Sequence, residues 1–392
     1  MRNVIIAAVS FAVLVTAAHG AESVDEPRVL SLEATYTADY WKLAGDASRS
    51  QSAYLDNLDI TAALDGGALF GIPGLQLFAY ALYDNGRALN EGIADTLQGI
   101  SNIEATRAFR MYEAWAQWQA GDAFSLRAGL YDLNSEFDSI EAAGLFINPS
   151  HGIGPDLSQT GLNGPSIFPV TSIGVRAQLE LDRWQVRLAV LDAVPGDPAR
   201  PNRTAVRWDA DEGLLYISEL DYRTLSDARV GVGYWRYSET FETLAPVEAD
   251  EPATRARNDG SYVFMESAAF VSSRGEARAY ARAGWANPDI NTIGNYIGTG
   301  VTWRGFARSE DQIGFAVARA RVGEPWRRAQ RREGVGTEAA EWILEMTARM
   351  PVGEYVIVQP DVQYIEHAGA LSERKAFWAL GLRLEMGFAF AR

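Results

Sequence analysis

The chain reads as an all-β protein: a transmembrane antiparallel β-barrel of about 16 strands, with short periplasmic turns and long extracellular loops. Three observations lead there. Apolar and polar residues alternate with period two along most of the chain. The connections between these segments mostly alternate between short and long. The chain also opens with an export signal.

The signal comes first in the chain. Arg2 is followed by an almost unbroken apolar run from Val4 to Ala18, and then by small residues at Ala18 and Gly20. That is a secretory signal peptide over residues 1–20, too short and wrongly flanked for a retained span. Residues 21–392 are then the exported barrel, with no run of 18 apolar residues anywhere in it.

The alternation is clearest in one hairpin. Ile173, Val175, Ala177, Leu179 and Leu181 share one face, and Gly174, Arg176, Gln178 and Glu180 share the other. Asp182-Arg183 makes a two-residue turn, and Trp184, Val186, Leu188 and Val190 resume the apolar face. The last segment repeats the pattern from Trp378 to Phe390. Such segments fall at about 29–40, 53–65, 75–83, 109–118, 123–132, 172–181, 184–192, 214–223, 228–237, 261–270, 277–285, 293–304, 311–320, 340–350, 354–364 and 376–390. The first and last should pair, closing the sheet and leaving no edge.

One strand cannot tell a soluble sandwich from a membrane barrel, because both have one apolar face. The export signal and the loop alternation favour the barrel. So does the position of Trp118, Trp184 and Trp303, all beside expected short turns, as in an interfacial aromatic girdle. About sixteen strands leave room for an aqueous lumen.

Composition narrows the chemistry. Net charge is -16, with 51 acidic against 35 basic residues, which argues against a nucleic-acid partner. There is no Cys, and the only His are His19, His151 and His367. Thiol catalysis and a Cys-ligated metal site are excluded, His-rich metal sites start with little material, and no cofactor is expected. Ser150 and His151 are adjacent, a poor arrangement for a nucleophile and its base, so the chain does not read as an enzyme. Lys42 and Lys375 are the only lysines, so nearly every cation is a guanidinium. Arg327, Arg328, Arg331 and Arg332 form a basic cluster in one long loop, either solvated, set against lipopolysaccharide phosphates, or on a loop that faces the lumen.

The longest connection, residues 132–171, is the candidate constriction loop. It holds Leu145, Phe146, Ile147, Ile167 and Phe168, an apolar content that argues for a packed loop folded into the lumen. It opens with Asn134-Ser135-Glu136-Phe137-Asp138 and continues through Ser150-His151-Gly152-Ile153-Gly154-Pro155-Asp156. With Gly231 to Tyr237 and Gln359 to Tyr364, these stretches resemble the carbohydrate-selective porins of the OprB family, over most of the chain from about Tyr54 onward. The resemblance implies a Gram-negative outer-membrane barrel, narrowed by inward loops, that passes small neutral sugars such as glucose.

The residues support that implication independently. Sugar hydroxyls both donate and accept, so a sugar path needs acids, amides and guanidiniums together. The candidate substrate-binding residues are Arg127, Asp132, Asn134, Glu136, Arg176, Arg187, Asp361, Gln363 and Arg383. Gln178, Glu180, Gln185, Glu219, Asp221, Gln359 and Glu385 join them on the expected lumen face, a wall of mixed sign. Tyr131 and Trp235 are candidates to stack on a sugar ring. Passage should be passive, since no nucleotide-binding motif is present. A porin of the same fold preferring charged solutes such as organic acids, or a barrel without a transport role, stays open. The expected partners are sugars, outer-membrane lipid and lipopolysaccharide. Nothing in the sequence decides between monomer and trimer.

Overall fold

The computed structural model describes residues 29–45, 51–86, 89–197, 199–206, 211–244 and 254–391. The expected signal peptide, residues 1–20, lies outside them. Among the described residues sixteen strands form one closed antiparallel sheet. They are β1 (Leu30–Ala44), β2 (Ser52–Asp65), β3 (Leu75–Gly86), β4 (Ala108–Ala120), β5 (Phe124–Tyr131), β6 (Ser172–Leu181), β7 (Trp184–Asp192) and β8 (Leu214–Arg223). Then come β9 (Arg229–Glu242), β10 (Arg255–Glu266, resuming as Phe270–Ser272), β11 (Gly275–Ala286), β12 (Ile293–Arg304), β13 (Gln312–Val322), β14 (Ala340–Val352), β15 (Val356–Glu366) and β16 (Phe377–Ala391). Each strand pairs with its sequence neighbours, and β1 pairs with β16 from Ser31↔Ala391 to Ala44↔Trp378. No edge is left for lipid to meet unpaired backbone.

The expected strands are the observed ones, with a systematic difference at the end bearing the long loops. There β1 runs on to Ala44, β9 to Glu242, and β10 begins at Arg255. These extensions carry polar residues such as Ser238, Glu239 and Arg257 on both faces. Apolar alternation marks only the part of a strand that lipid touches.

The two faces divide as the period-two pattern dictates. Leu188, Val232, Phe315, Met346 and Leu382 are exposed on the outside. Trp118, Trp184 and Trp303 project outward beside the turns at 121–123, 182–183 and 305–311, as a girdle requires. Inside, the half next to the long loops is filled. Residues 89–107 and 132–171 turn inward and bring apolar side chains with them. Phe137, Phe146 and Leu157 pack with Trp235, Tyr262 and Tyr280 of the wall. Ile93, Ile100 and Ile147 pack with Trp41, Ile343 and Phe377. Toward the periplasmic turns, Asp59, Gln117, Gln178, Gln185 and Arg349 stay partly exposed inside the barrel.

Candidate functional site

A loop without regular structure can lie inside a barrel only if its backbone N–H groups find acceptors. Here wall glutamates supply them. Glu113 on β4 accepts from Asp132 N (3.1 Å), Glu219 on β8 from Asp138 N (2.8 Å), and Glu266 on β10 from Ala142 N (2.6 Å). Glu345 on β14 accepts from both Ile147 N (2.6 Å) and Asn148 N (3.1 Å). The loop is thereby carried from β5 to the opposite wall, where Asn148 Nδ2 also donates to Gln363 Oε1 and Gln359 Nε2 donates to Leu145 O. Glu341 does the same for the loop before β4, accepting from Leu97 N and Gln98 N. Such hydrogen bonds contribute roughly 0.5–1.5 kcal/mol each, and several together order a segment with little secondary structure.

The return limb is held by charge. Arg282 on β11 is buried between two loop carboxylates, Asp138 (2.7 Å to Oδ2) and Asp156. Gly154 and Gly284 flank this triad. A Cβ at Gly154 would collide with the Arg282 guanidinium, and one at Gly284 with the Asp156 carboxylate. Small residues at both positions are what let the two ionic partners close.

Against this frame the predicted residues sort into groups. Arg127, Arg176 and Glu136 come together where the loop leaves β5. Arg176 grips Glu136 with two parallel bonds of 2.7 Å, and sends Nη1 to Ser125 Oγ (2.6 Å) and Nη2 to Gln117 Oε1 (2.8 Å). Arg127 donates to the same Gln117 oxygen and lies 3.4 Å from Glu136 Oε1, its guanidinium stacked 3.9 Å over the Trp115 ring. Tyr131 donates to Glu136 as well. Arg176 is buried, whereas Arg127 and Glu136 keep an open edge toward the lumen.

Asp132 and Asn134 shape the start of the loop. Asp132 caps the short turn at Leu133–Ser135 by accepting from Asn134 N, and Asn134 Nδ2 donates to Phe137 O and Gly152 O. Arg187 is buried against Glu219 (2.6 Å) and Asp221 (3.0 Å). Asp361 and Gln363 bond each other beneath the loop tip, and Arg383 forks onto Asp39 beside Ser101 and Asn102. The rings of Tyr131 and Trp235 are buried under the loop with no open face. Trp115, already carrying Arg127, is the half-exposed aromatic here.

Sequence reasoning missed Arg282, Glu341 and Glu345. The signal was present: period two places Arg278, Tyr280 and Arg282 opposite an alanine face, and Glu341 and Glu345 opposite Trp342, Leu344 and Met346. What alternation cannot convey is which loop atoms those side chains meet.

Two loop residues, Glu136 and His151, each contribute stability that acid removes. Burial alone would raise the Glu136 carboxyl, but the Arg127 and Arg176 guanidiniums overcome it and hold the group down at about 2. Its contribution to stability is complete above its usual 4.5 and is lost as pH falls through about 2. Burial pushes His151 down from 6.5 to about 3, its Nδ1 facing the Tyr280 hydroxyl at 2.8 Å and its Nε2 lying 3.7 Å from Glu345. The unfolded chain takes up a proton there that the folded loop refuses, so stability falls from pH 6.5 downward toward 3. Thermal melting of wild type and His151→Gln should therefore differ by a constant amount above pH 6.5. Below it the difference should change, the wild type losing about 1.4 kcal/mol more per pH unit; an unchanged difference between pH 6.5 and about 4 would contradict a neutral, buried His151.

Comparison with known proteins places this geometry. Residues 49–388 match the model of the family described as carbohydrate-selective porin, OprB family. Porin B of Pseudomonas aeruginosa is 21% identical over 378 residues, covering 86% of this chain and 82% of its own. The high-pH structure of Pseudomonas putida OprB superposes with a TM-score of 0.79 at 16% identity, over 92% of this chain and 94% of that one. OmpT of Vibrio cholerae, expressed in the outer membrane, superposes at 0.54 with 9% identity, over 93% and 99%. At these identities the superpositions establish the barrel fold.

Proposed function

The chain belongs to the OprB family of carbohydrate-selective porins, and we propose that it lets small neutral sugars, glucose among them, diffuse passively across the outer membrane. The observation that carries this reading is the pair Arg127–Glu136 at the lumen edge, with Gln117 and the Trp115 ring beside it. A guanidinium, a carboxylate and an amide offer donors and acceptors together, which suits hydroxyls. The open pair, Arg127 and Glu136, is of opposite sign and carries no net charge, which disfavours strong ion selectivity. The loop at 132–171 narrows the path, and Arg176, Arg187, Asp361, Gln363 and Arg383 act through the walls and loops they brace. Binding has to be weak, because a site that holds its solute tightly does not conduct.

Single-channel recording in a planar bilayer, titrated with glucose, tests this. Stepwise openings reduced saturably by glucose are expected. Arg127→Ala should weaken the half-blocking concentration by about tenfold, since hydrogen bonds to charged groups are each worth about 1.5 kcal/mol or more. Openings indifferent to glucose and strongly ion-selective would instead support a porin for charged solutes such as organic acids. No openings from a verified barrel would support a role without transport.

A further inference from the structure

The outer wall carries a feature that sugar passage does not use. On β13 the alternation that buries Ala316, Ala318 and Ala320 sends Phe315, Val317, Arg319 and Arg321 outward. The two arginines are the last outward positions before the extracellular helix Glu324–Arg332. Arg319 is in register with Trp342 on β14, and its guanidinium lies 5.5 Å from that indole. Trp342 belongs to the extracellular aromatic belt, near Tyr364 and Trp378, which pack at 4.8 Å. Such a belt marks the boundary between hydrocarbon and headgroups. Arg319 therefore sits at that boundary, and Arg321 one step above it.

Among the described residues neither guanidinium has a hydrogen-bonding or ion-pairing acid. Arg236, also outward near the extracellular end of its strand, faces Asp259 directly across the sheet. The outward neighbours on β12 are Asn295 and Ile297, both uncharged. Glu366 lies beyond Trp342 and faces His367 at 3.8 Å. Arg319, Trp342 and His367 line an open cleft together with Glu338. Two adjacent cations that no acid hydrogen-bonds or ion-pairs, with Glu338 the one carboxylate in the cleft, at headgroup depth on a chain of net charge -16, are an unmet demand for an anion.

We propose that Arg319 and Arg321 bind a phosphate on the sugar headgroup of an outer-leaflet lipid, with the Trp342 indole against the sugar. A free inorganic anion gains nothing from a site set at belt depth. A phosphorylated saccharolipid presents its phosphate there and its acyl chains to Phe315 and Val317 below. The proposal rests on the barrel's orientation in the outer membrane and not on its solute preference.

Native mass spectrometry of the full, detergent-solubilised chain with bis-phosphorylated lipid A tests it. Wild type should retain the lipid. Arg319→Gln with Arg321→Gln should lower retention by about tenfold or more, while Arg236→Gln and the glucose-dependent conductance stay unchanged. Lipid A stripped of phosphate should not be retained. Equal retention by the double variant, or of the dephosphorylated lipid, would overturn the assignment. So would displacement of lipid A by an equal concentration of inorganic phosphate, which would point to a free anion. Arg321→Gln alone, at the exposed position, repeats the test with a lesser expected loss if the double variant does not fold.

Discussion

Arg282→Met is expected to release the inward loop while leaving the barrel standing. The guanidinium is buried and holds Asp138 and Asp156, so its loss leaves two loop carboxylates uncompensated. Removing one partner from a buried ionic cluster costs about 3–5 kcal/mol, more than the loop can absorb without moving. The wall around residue 282 keeps its ladder through Gly298 and Phe264, so heat-modifiable migration should persist. Proteolysis within residues 138–158 should accelerate, and single-channel current should become larger and noisier. The same protease resistance and the same conductance in the variant would show that the triad does not hold the loop.

Deleting Ala142 to Ser158 should have the larger effect on permeation. The excised segment carries the backbone donors to Glu266 and Glu345, the Asp156 partner of Arg282, and the apolar plug of Leu145, Phe146 and Ile147. Conductance is expected to rise severalfold and glucose block to disappear, since a sixteen-stranded barrel without its inward loops is a wide aqueous channel. Unchanged conductance in a folded barrel would place the constriction elsewhere, with residues 89–107 as the other inward loop.

Arg282→Met and the deletion differ in one useful respect. The substitution leaves Glu136 in place between Arg127 and Arg176, so glucose block should weaken without vanishing. The deletion spares the same three residues but takes away the wall facing them. If both changes abolish block equally, the opposing surface matters more than the arginine pair.

The barrel was legible because lipid imposes a rule at every second residue. A membrane-facing strand must be apolar on one side, so Ile173 to Leu181 or Trp378 to Phe390 announces both its register and its orientation. Where strands leave lipid, as at Arg255 to Asn258, that rule lapses and the ends blurred. The candidate site was half legible. Arg127, Arg176 and Glu136 were singled out and do meet, because two lie on adjacent strands and the third on the loop leaving one of them. Arg282 with Asp138 and Asp156 was not legible, because it joins β11 to a loop more than a hundred positions earlier in the chain. Trp235 was misjudged as a sugar platform for the same reason: its face is open until residues 132–171 fold over it.

The wall glutamates grip the loop largely by its main chain. Glu113, Glu219, Glu266 and Glu345 all accept from peptide N–H groups, which every residue except proline carries. Such a mount is indifferent to most side chains it holds. The positions between the mounts can therefore drift in sequence without the loop losing its course. A library that randomises Ser135, Glu141 and Gly144 should yield mostly folded channels with altered solute preference, whereas randomising the four glutamates should yield few. The barrel thus separates the part that must be inherited intact from the part on which new selectivity can be tried.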